Sequence, residues 1–275
     1  MIPLKIMAVF RATNILLHLA YGLAIASLFP WLSKAARRRT LQRWSARLLC
    51  ILNVKIITHD SMRTIKSGMI VTNHISWLDI FVLNAMVPMR FVAKSEVRQW
   101  LLIGWLCARA QTLFIERGHA RDAARINKQV VQLLQDGEHF AVFPEGTTTD
   151  GTHVGTFHSS LLQSAVDAGA QIHPVTLRYQ NDQGEHSTAA AYIDDVSFGS
   201  SLWNILLCRS LHVMLVATPS IDAAGSDRRT LTRTAWQQIS AALMHAHNSP
   251  MIKPDESYQR QLLCPLPPTA TDRTV

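Results

Sequence analysis

Met69-Ile70-Val71-Thr72-Asn73-His74-Ile75-Ser76-Trp77-Leu78-Asp79-Ile80-Phe81-Val82-Leu83 holds the plan of the fold in one stretch. Met69-Thr72 is a short β-rich run, the next residues are polar and turn-forming, and Ile80-Phe81-Val82-Leu83 opens a second apolar run. Strand, turn and helix in immediate succession are the repeating unit of an α/β domain. The residues able to do chemistry, His74 and Asp79, stand at the turn.

Outward from this stretch the same texture continues from about Leu52. The expected strands are Val54-Thr58, Met69-Thr72, Arg90-Ala93, Thr112-Ile115, Phe140-Phe143, His173-Arg178, Ala190-Ile193 and Val213-Ala217. Between them, Ile126, Val130, Val131 and Leu134 repeat at helical spacing within Arg121-Gln135. Leu231, Trp236, Ile239 and Leu243 do the same within Arg229-Met244, so both helices should pack on a sheet. The chain of 275 residues is long enough for one substantial core, and one domain with appendages is the expectation. The appendages are a membrane-associated helical and basic segment at 1–50 and a tail at 248–275 marked by Pro250, Pro254, Pro265, Pro267 and Pro268; the catalytic unit is 51–247.

Charge is placed as unevenly as structure. No acidic residue precedes Asp60, whereas nine Lys and Arg do, so the first 59 residues carry +9. The remaining 18 cations face 19 anions and sum to −1, although the whole chain is +8. Cations that follow directly on an apolar segment point to a membrane surface and away from nucleic acid, whose binders interleave cations with aromatic residues over a folded face. The 48% apolar and 17% charged content agrees with that partner. Cys50, Cys107, Cys208 and Cys264 show no C-x-x-C pair and read as reduced core thiols.

Ala12 to Leu32 is free of charge, long enough to cross a bilayer, and diluted by Asn14, His18, Gly22, Ser27 and Pro30. Spanning and half-embedded arrangements both remain open. A cleaved signal peptide fits less well, because Pro30-Trp31 leads into basic residues where a small-residue cleavage site belongs. Lys34, Arg37, Arg38, Arg39, Arg43 and Arg47 should rest on anionic headgroups on the cytoplasmic side of the inner membrane, with the catalytic domain on that side.

At the first turn, a carboxylate five residues after an imidazole can hold one ring nitrogen and leave the other to remove a proton. A buried histidine beside a helix-capping aspartate is the bland alternative. A second constellation, Val142-Phe143-Pro144-Glu145-Gly146-Thr147-Thr148-Thr149-Asp150-Gly151, also leaves the end of an apolar strand. There Gly146 lets the backbone approach a ligand, and N–H groups with the Thr147 and Thr148 hydroxyls offer donors to phosphate oxygens without the spacing of a Walker loop. A third strand runs into Phe114-Ile115-Glu116-Arg117-Gly118, where Arg117 could present a guanidinium fork to phosphate. Strand ends are where open sheets build sites.

In order and spacing, Asn73-His74-x-x-x-x-Asp79, Phe114-Ile115-Glu116-Arg117-Gly118, Phe143-Pro144-Glu145-Gly146-Thr147 and Ile172-His173-Pro174-Val175 resemble the four motifs of the glycerolipid acyltransferases typified by 1-acylglycerol-3-phosphate acyltransferase. The resemblance covers roughly residues 50 to 220. It implies a mixed-sheet α/β domain flanked by helices, preceded by helices that dip into the membrane. It implies that His74 is the catalytic base, Asp79 its charge partner, Arg117 and the Glu145-Gly146-Thr147 segment the phosphate site, and Pro174 a residue shaping the acyl or acceptor pocket. It further implies acyl-CoA or acyl-acyl-carrier-protein as donor, a lysophospholipid acceptor with 1-acylglycerol-3-phosphate giving phosphatidic acid foremost, and no metal or other cofactor. Where relatives continue with Phe-Lys-x-Gly, this chain reads Phe157-His158-Ser159-Ser160, which leaves open a less charged acceptor such as a lyso-ornithine lipid.

Rival readings make different demands. A hydrolase would draw a nucleophile from Ser76, Ser159 or Ser160, though no G-x-S-x-G elbow is present. A metal site would need His74, Asp79 and His119 together, and a lipid-binding scaffold would need the dyad misplaced.

Overall fold

The computed structural model describes residues 4–58, 62, 65–116, 119–193 and 195–248. Arg117, Gly118 and the tail beyond Asn248 lie outside the described residues. The strands are β1 (Val54–Thr58), β2 (Gly68–Thr72), β3 (Arg90–Lys94), β4 (Leu113–Ile115), β5 (His139–Val142), β6 (Gln171–Gln180), β7 (Leu211–Ala217) and β8 (Ile221–Asp222). They form one mixed sheet in the order β1-β7-β6-β2-β5-β3-β4, with β8 added to β6. Pairs run parallel except β6 with β7 and β6 with β8. Every residue of β2 and β5 is buried, which is why these central parallel strands read as unbroken apolar runs rather than as alternation.

Helices cover both faces. Here α2 (Lys34–Leu52), α3 (Leu78–Met86) and α7 (Phe198–Leu207) bring Leu49, Val82 and Ile205 into the cluster on the sheet face that carries Ile70 and Leu177, and α1 (Leu4–Ser27) joins it through Ala8 by packing on α2 and α7. On the other face, α5 (Ala120–Gln135), α6 (Gln163–Ala168) and α8 (Arg228–Asn248) pack Ile126, Ala165 and Ile239 against Met69 and Val71. Successive residues of β2 thus serve opposite layers, as the period of two requires. Each such fully buried aliphatic side chain contributes about 1.5–3 kcal/mol.

Several expectations are corrected. Ala190-Ile193 is irregular, and its Tyr192 amide donates to the Ile75 carbonyl at 3.0 Å instead of joining a ladder. The helices α4 (Leu101–Arg109) and α7 carry apolar residues with too little polar alternation to announce a period, and β8 is too short to announce itself. Cys50 is exposed and Cys107 and Cys208 are half-buried, so these three thiols are not core residues. Of the six basic residues on α2, Lys34 and Arg38 are drawn to the buried Glu138 carboxylate together with Arg90, which ties α2 to the sheet. Arg39, Arg43 and Arg47, at i, i+4 and i+8, remain exposed.

The apolar N-terminal helix begins at Leu4, earlier than the charge-free stretch, and includes Arg11. Arg11 donates to the carbonyls of Leu206, in the last turn of α7, at 3.2 Å and of Arg209, just past its end, at 3.0 Å, where a cation satisfies orphan acceptors. With α1 fastened in this way, Leu4, Val9, Phe10, Leu16 and Leu17 stay exposed. Leu101 of α4 and Trp203 of α7, on helices that pack against α1, are exposed as well. α1 is long and apolar enough to cross a membrane by length and composition.

Candidate active site

Strand β2 ends at Thr72, and the chain turns at its C-terminal end into α3. Asn73 fixes the departure. Its side chain donates to the Leu177 carbonyl at 2.9 Å and accepts from the Leu177 amide at 2.8 Å, continuing the β2–β6 ladder with an amide in place of backbone. His74 follows, half-buried, and its Nδ1 lies 2.9 Å from Asp79 Oδ2. Asp79, in the first turn of α3 and fully buried, also accepts at Oδ2 from the amides of Ile75 at 2.8 Å and Ser76 at 2.9 Å.

The remaining carboxylate oxygen is used too. Tyr179 donates its hydroxyl to Asp79 Oδ1 at 2.8 Å from the far end of β6. Burial, reinforced by the adjacent Asp79, pushes the Tyr179 hydroxyl well above its usual range, so it stays a donor. Four donors on one carboxylate hold it in a single orientation, and Nδ1–H of His74 is one of them. His74 Nε2 is therefore the ring nitrogen left with a lone pair.

The second turn closes over the first. The His74 ring stacks on Phe143, with centroids 3.9 Å apart and planes at 18°. Glu145, 5% exposed, accepts from the His74 amide at 2.8 Å through one oxygen and from the Gly155 amide at 2.9 Å through the other. Burial pushes this carboxyl up, and those two amides oppose the shift. Gly146 turns the backbone at φ 67°, a conformation that favours glycine. At Gly155 a Cβ would lie 2.7 Å from Glu145 Oε2, so the segment approaches only because it has none. Thr149 donates its amide to the His74 carbonyl at 2.8 Å, and Thr148 bonds the Tyr192 carbonyl.

The structure thus joins His74, Asp79, Glu145 and Gly146 in one hydrogen-bonded unit, with Thr147 exposed on its rim. Glu145 turns both oxygens inward to amides, holding the turn that carries His74. Pro174 is buried in β6 opposite Val71, where β7 hands over to β8 and its carbonyl accepts from the Thr218 amide at 3.0 Å. A missing N–H is tolerated at such a gap in the ladder. Arg117 lies outside the described residues. Ser76 Oγ accepts from the Leu78 amide at 3.3 Å, and His119 faces Glu116 at 3.4 Å, so neither is directed at the His74 ring.

Sequence reasoning missed Tyr179, Phe143 as a stacking partner, and Gly155. A tyrosine in an apolar strand carries no signal of a partner 100 positions away. Tyr179→Phe should cost about 1–3 kcal/mol of stability, because Asp79 Oδ1 is left buried and unsatisfied, and should lower kcat through a looser imidazole. Thermal unfolding and steady-state rates measured on the same preparation check both effects.

The comparisons with known proteins agree on one family. A family model described as Acyltransferase matches residues 53–178, which contain His74, Asp79 and Glu145. Lyso-ornithine lipid O-acyltransferase of Pseudomonas aeruginosa is 35% identical over 252 residues, covering 87% of this chain and 94% of that protein. The chain belongs to the PlsC-like acyltransferase family. The acyltransferase is also 37% identical over 161 residues to 1-acyl-sn-glycerol-3-phosphate acyltransferase of Neisseria gonorrhoeae, covering 58% of this chain and 63% of that one. Its fold matches the crystal structure of the 1-acyl-sn-glycerophosphate acyltransferase PlsC from Thermotoga maritima with a TM-score of 0.69, at 18% identity over 90% of this chain and 98% of the other. In an acyltransferase, an imidazole oriented through Nδ1, with Ser76 engaged elsewhere, suits removal of a proton from an incoming hydroxyl.

Proposed function

We propose that this acyltransferase moves a fatty acyl group from a thioester, acyl-CoA or acyl-acyl-carrier-protein, directly onto the free hydroxyl of a lysolipid. The observation that carries the reading is His74 held at Nδ1 by Asp79, with Nε2 making no hydrogen bond among the described residues. The acceptor hydroxyl gives its proton to Nε2 as its oxygen attacks the thioester carbonyl; the tetrahedral adduct collapses and the thiolate leaves, taking a proton from the imidazolium. Asp79 stabilises that imidazolium, and Glu145 positions it through the His74 amide.

The motif resemblance makes 1-acylglycerol-3-phosphate the first acceptor to test, with Arg117, Gly146 and Thr147 at its phosphate. A lyso-ornithine lipid is the second reading. It is favoured by the lyso-ornithine lipid O-acyltransferase of Pseudomonas aeruginosa, which this chain matches over 94% of that protein's length. Membranes containing the protein, given labelled acyl thioester and a panel of lysolipids, decide the acceptor by product identity. Arg117→Ala should raise KM for a phosphate-bearing lysolipid about ten-fold to one-hundred-fold, since a charge-assisted contact contributes roughly 1.5–3 kcal/mol. Arg117→Lys should fall between, because a point charge lacks the fork. An unchanged KM for the phosphate lysolipid removes Arg117 from the acceptor site.

The same reading places the protein on the inner membrane with its catalytic domain on the cytoplasmic side. The exposed apolar residues of α1, α4 and α7 enter one leaflet, and Arg39, Arg43 and Arg47 meet anionic headgroups. Replacing those three arginines by alanine should weaken binding to anionic vesicles by about 1 kcal/mol per cation and leave binding to neutral vesicles little changed. Vesicle sedimentation measures both; equal losses on the two surfaces contradict the headgroup contact.

A further inference from the structure

Residues 154–159 and the first turns of α8 enclose an open cleft of about 380 Å³, with Thr156, Ser159, Arg229, Thr232, Arg233 and Trp236 among its walls. We propose that this cleft holds the phosphate-bearing pantetheine carrier of the acyl donor, whether coenzyme A or acyl carrier protein; the assignment rests on the thioester-donor reading above.

The cleft is built into the catalytic turn. Trp236 donates its indole N–H to the Gly155 carbonyl at 2.9 Å, the Gly155 amide donates to Glu145 at 2.9 Å, and Glu145 accepts from the His74 amide at 2.8 Å. Three hydrogen bonds therefore separate the cleft wall from the backbone of the base. The carbonyl bond also stops the half-exposed indole from turning, leaving an aromatic surface fixed beside two guanidinium groups.

Its position suits a water-soluble substrate. α8 packs on the sheet face opposite α1 and α7, whose exposed apolar residues mark the side a lipid would use. A lysolipid can thus arrive from one side of the strand ends and the carrier from the other.

Its chemistry suits phosphate. Arg229 and Arg233 are exposed and form no ion pair within hydrogen-bond reach among the described residues, and Thr156 and Ser159 offer hydroxyls beside them. Asp227, the nearby carboxylate, caps α8 by accepting at Oδ1 from the amides of Arg229 at 2.8 Å and Thr230 at 3.1 Å, and it offsets part of the Arg229 charge, leaving Arg233 as the other exposed cation of the cleft. Arg228 and Arg229 open the helix just after the Asp227 cap, where the macrodipole disfavours cations, and Arg233 follows one turn on. A bound anion offsets that repulsion, and paired guanidinium forks match phosphate geometry.

The test is equilibrium binding to the full chain in lipid nanodiscs, using coenzyme A and holo acyl carrier protein as probes and pantetheine as the phosphate-free reference. The wild type should bind at least one phosphate-bearing carrier more tightly than pantetheine. The double variant Arg229→Ala, Arg233→Ala should bind it roughly ten-fold to one-hundred-fold more weakly, the loss expected of charge-assisted contacts. Arg228→Ala, outside the cleft, should change binding little, and the thermal midpoint of the double variant shows that it is folded. A loss confined to one carrier names the donor's source; a loss for both puts the shared pantetheine phosphate in the cleft. Equal binding by wild type and double variant, or no preference of the wild type for either carrier over pantetheine, overturns the assignment. Acyl transfer is read separately on the same preparations. Transfer without carrier-specific binding removes the cleft and leaves the proposed function standing, whereas no transfer from any thioester removes the function itself.

Discussion

His74→Ala should lower kcat for acyl transfer by about 10²–10⁴-fold, the usual worth of a general base, while the protein still folds and partitions to membranes. The ring is half-buried and stacked on Phe143, so its removal leaves a gap at the site's rim and not in the core. Asp79 keeps the amides of Ile75 and Ser76 and the Tyr179 hydroxyl, so no buried charge is stranded. Loss of rate with an unchanged thermal midpoint and unchanged sedimentation with vesicles is the expected pattern. Turnover near the wild-type rate removes His74 as the base.

Asp79→Asn is the second large effect. Three donors converge on Oδ2, so the amide oxygen must take that place and its NH2 must face the Tyr179 hydroxyl, which can turn to accept. The fold can survive this exchange, but a neutral amide cannot stabilise the imidazolium that forms when His74 takes the acceptor's proton. The carboxylate-to-amide change in the serine-protease imidazole–carboxylate pair costs about 10⁴ in kcat. A loss of 10³–10⁴-fold is expected here, with acceptor KM moving far less. Equal and modest changes in kcat and KM would instead describe a carboxylate that only shapes the turn.

How far the sequence discloses these features depends on what writes them. β1, β2, β3, β5 and β7 are runs of apolar and β-branched residues bounded by turns, and α5 and α8 repeat apolar residues at helical spacing; both patterns are local and were legible. Ala190-Ile193 has the composition of a strand but lies along the catalytic turn, a tertiary choice that composition does not record. The His74–Asp79 pair could be read because five residues of chain enforce it. Tyr179 could not, since only the pairing of β6 beside β2 brings it to Asp79. Glu145 was visible as a motif residue, yet its work as a clamp between the amides of His74 and Gly155 follows from burial. The six cations of α2 were legible as charge, but Glu138, which engages two of them, is far away in the chain.

Direct attack by the acceptor is tested most directly by a single-turnover experiment. Protein in nanodiscs is mixed with excess labelled acyl thioester in the absence of lysolipid, quenched and denatured, and the label covalently attached to protein is measured; a lysolipid is then added to a parallel sample. Without acceptor, no covalent acyl-protein and no stoichiometric burst of free thiol should form. With acceptor, label should pass to the lysolipid at the catalytic rate in the wild type and not in His74→Ala. Stoichiometric acyl-protein that forms without lysolipid and is discharged when lysolipid is added would contradict the account, because it would require a nucleophile on the protein in place of direct attack by the acceptor.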